Sequence, residues 1–203
     1  MSPLPIVYLP GGAGRSWFWR RVADRLWRAG SPVVLGYPGF GDVPEDPSIS
    51  SLDDLYRALL AVLPPRFVLV AQSMGNVLAL RAALDHPERV AALVLCAVSG
   101  GVDVRALGGA DWRASLRSEQ PESPTWFIDD ASDFGERLHA IRQPALLLFG
   151  DADELAPVAV GEFLRARMPL ATLHVLAGAG HWVAHEEPDR VARPMAAFLA
   201  ALQ

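Results

Sequence analysis

The chain has 203 residues, 51% hydrophobic and 20% charged, with a formal net charge of −5. That length suits one domain, 1–203, with an ample core, and the acidic balance argues against a nucleic-acid surface. All 18 basic residues are arginine, which excludes a P-loop lysine, a Schiff-base lysine and a serine–lysine dyad; Cys96 stands alone, which excludes intrachain disulfides and cysteine metal clusters.

Along the chain, strand and helix patterns alternate. Pro5-Ile6-Val7-Tyr8-Leu9 reads as a buried strand. Trp19, Val22, Ala23 and Leu26 follow at helical spacing, with Gly30 as the stop. Pro32-Val33-Val34-Leu35 is the second strand. Leu52, Leu55, Leu59 and Val62 line the next helix, with Ser51 and Asp54 as a capping box and Pro64-Pro65 as the stop. The third strand is read over 66–70. The helix after Ser73 is apolar on nearly every side and should be deeply buried. Val90–Val98 is a fourth strand and Ala145–Phe149 a fifth, followed by a helix over about 157–167. Leu173–Leu176 is the sixth strand. A last helix, about 188–202, turns Val191, Met195, Phe198 and Leu199 inward.

Short apolar strands alternating with amphipathic helices predict a doubly wound α/β fold, a mainly parallel sheet with helices on both faces. Ligands in such sheets bind beyond the carboxyl ends of the strands. Residues 99–137 interrupt the rhythm with Gly100-Gly101, Gly108-Gly109, Pro121, Pro124, Trp112, Trp126 and Phe127. An irregular stretch of that length is usually functional. It is read as a short cap over the site, with one helix around 110–118.

The chemistry starts at Ala71-Gln72-Ser73-Met74-Gly75, between the third strand and the next helix. A serine with small residues two places to either side reads as a nucleophile elbow, though an ordinary strand-to-helix turn fits that pattern too. A serine nucleophile needs a base, and the base needs an orienting partner. Gly150-Asp151-Ala152-Asp153 follows the fifth strand and Gly178-Ala179-Gly180-His181 the sixth. In a parallel sheet, all three loops fall on one edge. His181 is therefore the expected base. His86 and His139 fall at the opposite edge, His174 lies inside a strand, and His185 turns toward the last helix. Asp153 is the favoured carboxylate. Asp151, which suits a turn-stabilising role, and Asp103, after the fourth strand, are the alternatives.

An oxyanion hole needs two aligned N–H groups. Met74 would supply one and Gly12, in Pro10-Gly11-Gly12-Ala13-Gly14, the other. That loop lacks the third glycine of a dinucleotide site, and Gly36 stands where an acid would hold a ribose. Trp17, Phe18, Trp112, Trp126 and Trp182 are candidates to line an apolar substrate pocket, with core packing as the alternative for each.

These segments together resemble the α/β-hydrolase superfamily. Leu9–Gly14 with Trp19 is similar to its His-Gly-x-x-Gly loop, and Tyr37-Pro38-Gly39-Phe40-Gly41 to its Asp-x-Pro-Gly-x-Gly loop. His86-Pro87-Glu88-Arg89-Val90 is similar to a structural helix-end motif, and the loops at 150–153 and 178–182 to its acid and histidine loops. Pro10 replaces the usual histidine, Ala71 the first elbow glycine and Gly36 the usual aspartate; the N-terminal hairpin is absent and the cap is short. The resemblance implies strand order 2-1-3-4-5-6. It also implies a serine hydrolase of carboxylic esters or thioesters that uses no metal or cofactor. The rivals are a lyase or carbon–carbon hydrolase with the same triad, and a non-catalytic ligand-binding protein. No apolar run reaches the ~20 residues of a membrane span, and no signal peptide is read at Met1-Ser2-Pro3-Leu4-Pro5. The expectation is a cytoplasmic monomer or small homo-oligomer with no membrane or nucleic-acid partner.

Overall fold

In a computed structural model of the chain, residues 4–27, 31–119 and 124–202 are described. The helix stop expected at Gly30, Pro121 of the irregular segment, and the residues Met1–Pro3 lie outside them. The elements run β1 (Ile6–Leu9), α1 (Arg20–Leu26), β2 (Pro32–Val34), α2 (Leu52–Val62), β3 (Phe67–Gln72), α3 (Gly75–Asp85), β4 (Val90–Cys96), α4 (Arg113–Glu119), a 3-10 turn (Gly135–Ala140), β5 (Ala145–Gly150), α5 (Val158–Arg167), β6 (Ala171–Leu176), α6 (Val183–Glu186) and α7 (Pro188–Ala200).

Among the described residues, six strands form one open sheet in the order β2-β1-β3-β4-β5-β6, every neighbouring pair parallel. The strand order is the one expected. β1, β3 and β5 are buried at every position. This is why their sequences read as unbroken apolar runs rather than alternations. α1 packs on α7, and α3 lies along β3 and β4. α3 buries Gly75–Leu80, Ala82 and Ala83, matching its all-round apolar sequence.

The register levels the carboxyl ends of the strands. Gln72 pairs with Cys96, Cys96 with Leu148, and Gly150 with Leu176. The turns after β1, β3, β4, β5 and β6 therefore open on the same rim.

Several boundaries differ from the sequence reading, each for a local reason. β4 stops at Cys96, because Ala97 takes a left-handed φ of 47°. β6 begins at Ala171, two residues early, and as an edge strand it leaves Val175 exposed. Val62, expected on the inner face of α2, is 70% exposed, while Leu59 and Leu63 beside it stay buried. Phe198 is half-buried. The α2 cap is only partly reciprocal. Ser51 Oγ accepts the Asp54 N–H, but the Asp54 carboxylate reaches back to the Ser50 N–H instead of the Ser51 N–H. The hydroxyls of Ser51 and Ser50 hold that carboxyl well below the usual range.

The loop after β1 is pinned from two sides. Trp19 Nε1 donates to Leu9 O at 2.9 Å, and the Tyr37 hydroxyl donates to Pro10 O at 2.7 Å. Tyr37 is fully buried, and burial pushes its phenol well above the usual tyrosine range, so it remains a donor. Tyr37 thus ties the loop after β2, which carries Gly36, to the loop after β1. Tyr37→Phe is expected to cost about 1–3 kcal/mol in urea unfolding, the range for a buried acceptor left without its donor. A midpoint indistinguishable from wild type would show that Pro10 O needs no tether.

Candidate active site

β3 ends in a turn that bends back on itself. Ser73 has φ 53°, a region non-glycine residues occupy at a cost of about 1–3 kcal/mol. Local bonds hold it there. Ser73 N donates to Cys96 O at 3.1 Å, and Asn76 Nδ2 donates to Ser73 O at 2.9 Å and Cys96 O at 3.0 Å. Gly75 is required by close approach: a Cβ there would sit 2.5 Å from Pro10 O. The turn presents the Ser73 side chain at the rim.

His181 reaches Ser73 from the loop after β6, with Nε2 3.0 Å from Ser73 Oγ. Its Nδ1 lies 2.8 Å from Asp153 Oδ2. The Asp153 side chain is fully buried and the His181 side chain only 13% exposed. Asp153 Oδ1 accepts the Leu155 and Ala156 amides at 2.9 and 3.0 Å, which fixes the carboxylate plane. Side chains from the turns after β3, β5 and β6 thus form one continuous hydrogen-bonded chain. Asp151 faces elsewhere, accepting the Gly178 amide across the adjoining turn. Asp103 accepts the Ala106 amide in the segment after β4. His86 and His139 lie at the C-terminal end of α3 and in the 3-10 turn, and His174 in β6.

Beside Ser73 opens a cleft of about 350 Å³. Gly12 and Met74 border it, and among the described residues neither backbone N–H has an acceptor within the protein. Free N–H donors on the wall of the cleft that holds the serine are one requirement of an oxyanion hole. Gly12 is also spatially constrained, since a Cβ would press 2.9 Å from the Phe127 ring.

Phe18, Trp112, Leu116, Leu155 and Trp182 form the apolar wall of the cleft. Trp17 and Trp126, expected to line it, do not. Trp17 turns toward α6, 4.6 Å from the His185 ring and beneath Arg15. Trp126 packs edge-on against Phe40 and Phe127, away from the cleft lining. Of the 99–137 segment, Trp112 and Leu116 enter the cleft, and Trp112 stacks on Phe127 at 5.9 Å.

Two neighbours of the serine were not singled out in the sequence. Ser99 Oγ lies 2.7 Å from Ser73 Oγ. Gln72, buried just before the serine, donates from Nε2 to His181 O at 3.3 Å. Ser99 follows β4 on the rim where ligands gather, and that position was the available signal. Cys96 sits beneath the site. Burial, with the Asp153 charge nearby, pushes its thiol up to about 12; it stays protonated and is no rival nucleophile.

Comparison with known proteins agrees with this architecture. The profile of the alpha/beta hydrolase fold family matches residues 5–127, and a second alpha/beta hydrolase family profile matches residues 103–193. The chain belongs to the alpha/beta hydrolase family. This hydrolase is 30% identical over 241 residues to a 2-hydroxy-6-oxononadienedioate/2-hydroxy-6-oxononatrienedioate hydrolase of Burkholderia vietnamiensis, covering 94% of this chain and 83% of that one. It is 27% identical over 225 residues to a pimeloyl-[acyl-carrier protein] methyl ester esterase of Nitrosomonas europaea, covering 87% and 88%. A solved meta-cleavage product hydrolase from Pseudomonas fluorescens superposes with a TM-score of 0.80 at 21% identity, covering 100% and 92% of the two chains. Among the described residues, no helix of this hydrolase is long and apolar enough to cross a membrane, and no cluster of potential ligands is arranged to hold a metal ion.

Proposed function

We propose that this chain is a serine hydrolase of carboxylic esters or thioesters, with Ser73 as nucleophile, His181 as general base and acid, and Asp153 as orienting carboxylate. The observation that carries the reading is the unbroken hydrogen-bonded chain from Ser73 Oγ through His181 to Asp153. Ser73 Oγ attacks the substrate carbonyl carbon as its proton passes to His181 Nε2. Asp153 keeps the other ring proton on Nδ1 and stabilises the imidazolium. The Gly12 and Met74 amides receive the oxyanion. Collapse expels the alcohol or thiol, which leaves with the proton from His181. Water then attacks the acyl-enzyme with His181 again as base, and Ser73 departs with its proton restored. The 99–137 segment acts as a short cap that supplies Trp112 and Leu116 to the acyl pocket.

Hydrolysis of a carbon–carbon bond by the same three residues is the second reading. It draws support from the Burkholderia relative, which is named for a hydroxy-oxo diacid. The cleft lining favours the ester. Its only arginine or carboxylate side chain among the described residues is Arg15, which also stacks over Trp17. A dicarboxylate would lack a second cation there.

The test is a parallel screen of p-nitrophenyl esters from acetate to decanoate, acyl thioesters, and a 2-hydroxy-6-oxo-dienoate. Ester or thioester turnover well above that of the dienoate is expected. Turnover of the dienoate alone would replace this reading with the second. No turnover of any substrate, with no fluorophosphonate labelling, would end both.

A further inference from the structure

Among the described residues Ser73 Oγ has two hydrogen-bond neighbours, His181 Nε2 and Ser99 Oγ, and the second is the shorter contact at 2.7 Å. The direction of that bond follows from counting protons. A carboxylate offers lone pairs only, so the proton between Asp153 and His181 belongs to Nδ1. Neutral imidazole carries one N–H, which leaves Nε2 as an acceptor. Ser73 has a single proton and gives it to Nε2. The only proton left to join the two serines is the one on Ser99.

We propose that Ser99 is a further catalytic hydrogen-bond donor, whose O–H points at the attacking oxygen. The inference rests on the serine-hydrolase reading above. Where transfer of the Ser73 proton to His181 runs ahead of C–O bond formation, Oγ carries transient negative charge before the electron pair passes to the carbonyl oxygen. The Ser99 O–H stabilises that charge and keeps its own proton throughout. It also holds Oγ in the rotamer that faces both the imidazole and the cleft. In the acyl-enzyme, Oγ is an ester oxygen without a proton, and its lone pairs still accept from Ser99. The same donor therefore assists departure of Ser73 in the second half of the reaction.

The fold builds this contact deliberately from two neighbouring turns. Gln72 and Cys96 are register partners, so Ser73 and Ala97 leave β3 and β4 level with each other. Both take left-handed backbone conformations, φ 53° and 47°. The second turn brings Ser99 back toward the first serine. Ser99 is only 9% exposed, so little water competes for its hydroxyl. On its other side lies a second cavity of about 290 Å³, which shares Met74 and Trp112 with the cleft. That space admits one added methyl group.

The isosteric pair Ser99→Thr and Ser99→Val isolates the hydroxyl, and Ser99→Ala removes it without added volume. The readouts are the second-order rate of fluorophosphonate inactivation, kcat and KM on a p-nitrophenyl ester, and Tm. Ser99→Ala and Ser99→Val are expected to slow inactivation and lower kcat about 10- to 100-fold, with KM and Tm nearly unchanged; Ser99→Thr should stay within about threefold of wild type. Equal rates for the threonine and valine variants, or a Ser99→Ala enzyme as fast as wild type, would overturn the proposal. Ser73→Ala is the control. If it still reacts with fluorophosphonate, the serine-hydrolase reading itself fails. If it is inert while Ser99→Ala runs at full speed, only the role of Ser99 is lost.

Discussion

Ser73→Ala is expected to lower kcat for ester hydrolysis by roughly a millionfold, the scale on which a triad nucleophile fails when its hydroxyl is removed. No other group in the site can take over. Cys96 is buried with its thiol pushed up to about 12. Ser99 points its proton at the missing oxygen and has no base of its own. The substitution should fold normally, because alanine tolerates φ 53° about as well as serine and the backbone bonds from Asn76 remain. Circular dichroism and Tm would check the fold, and burst kinetics with a p-nitrophenyl ester would check the chemistry. Residual activity within a hundredfold of wild type would mean that the acyl group never resides on Ser73.

The second large effect is expected at Asp153. Asp153→Asn should reduce kcat about ten-thousandfold with little change in KM. The reason lies in how the carboxylate is used. Oδ1 accepts two backbone amides, from Leu155 and Ala156, while Oδ2 faces His181 Nδ1. An asparagine must keep its carbonyl oxygen toward the two amides. Its NH2 then points at Nδ1 and requires a lone pair there. The ring proton moves to Nε2, where it confronts Ser73 instead of receiving its proton. Geometry survives and the tautomer is reversed. Asp151→Asn is the matched comparison. Among the described residues that side chain accepts only the Gly178 amide, so activity should change by less than about threefold. Equal losses at 151 and 153 would point to a general weakening of the turn and away from a role for Asp153 in orienting the base.

Much of the fold was legible because its strands are buried on both faces. Ile6–Leu9, Phe67–Gln72 and Ala145–Gly150 carry apolar residues at nearly every place, and the amphipathic helices between them leave no topology but a parallel sheet. The reading failed where burial depends on a neighbour far away in the chain. Val62 has the right helical phase yet faces solvent. Trp17 and Trp126 are as apolar as Trp112 and Trp182, but only the latter pair borders the cleft. Hydrophobicity says that a ring avoids water; it does not say whether a ligand or another side chain will cover it. Ser99 escaped notice for a related reason. Apart from its place after β4, no motif marks it, and its partner is 26 residues away across the β3–β4 ladder.

The sequence by itself determined the doubly wound sheet, its strand order through resemblance, and the rim on which any chemistry must lie, because periodicity and chain order are local properties. Only the tertiary structure decided which rim side chains touch. That Asp153 and not Asp151 faces His181, and that a second serine meets the first, depends on register and rotamer across strands distant in sequence. No pattern along the chain encodes such a distance until the sheet has formed.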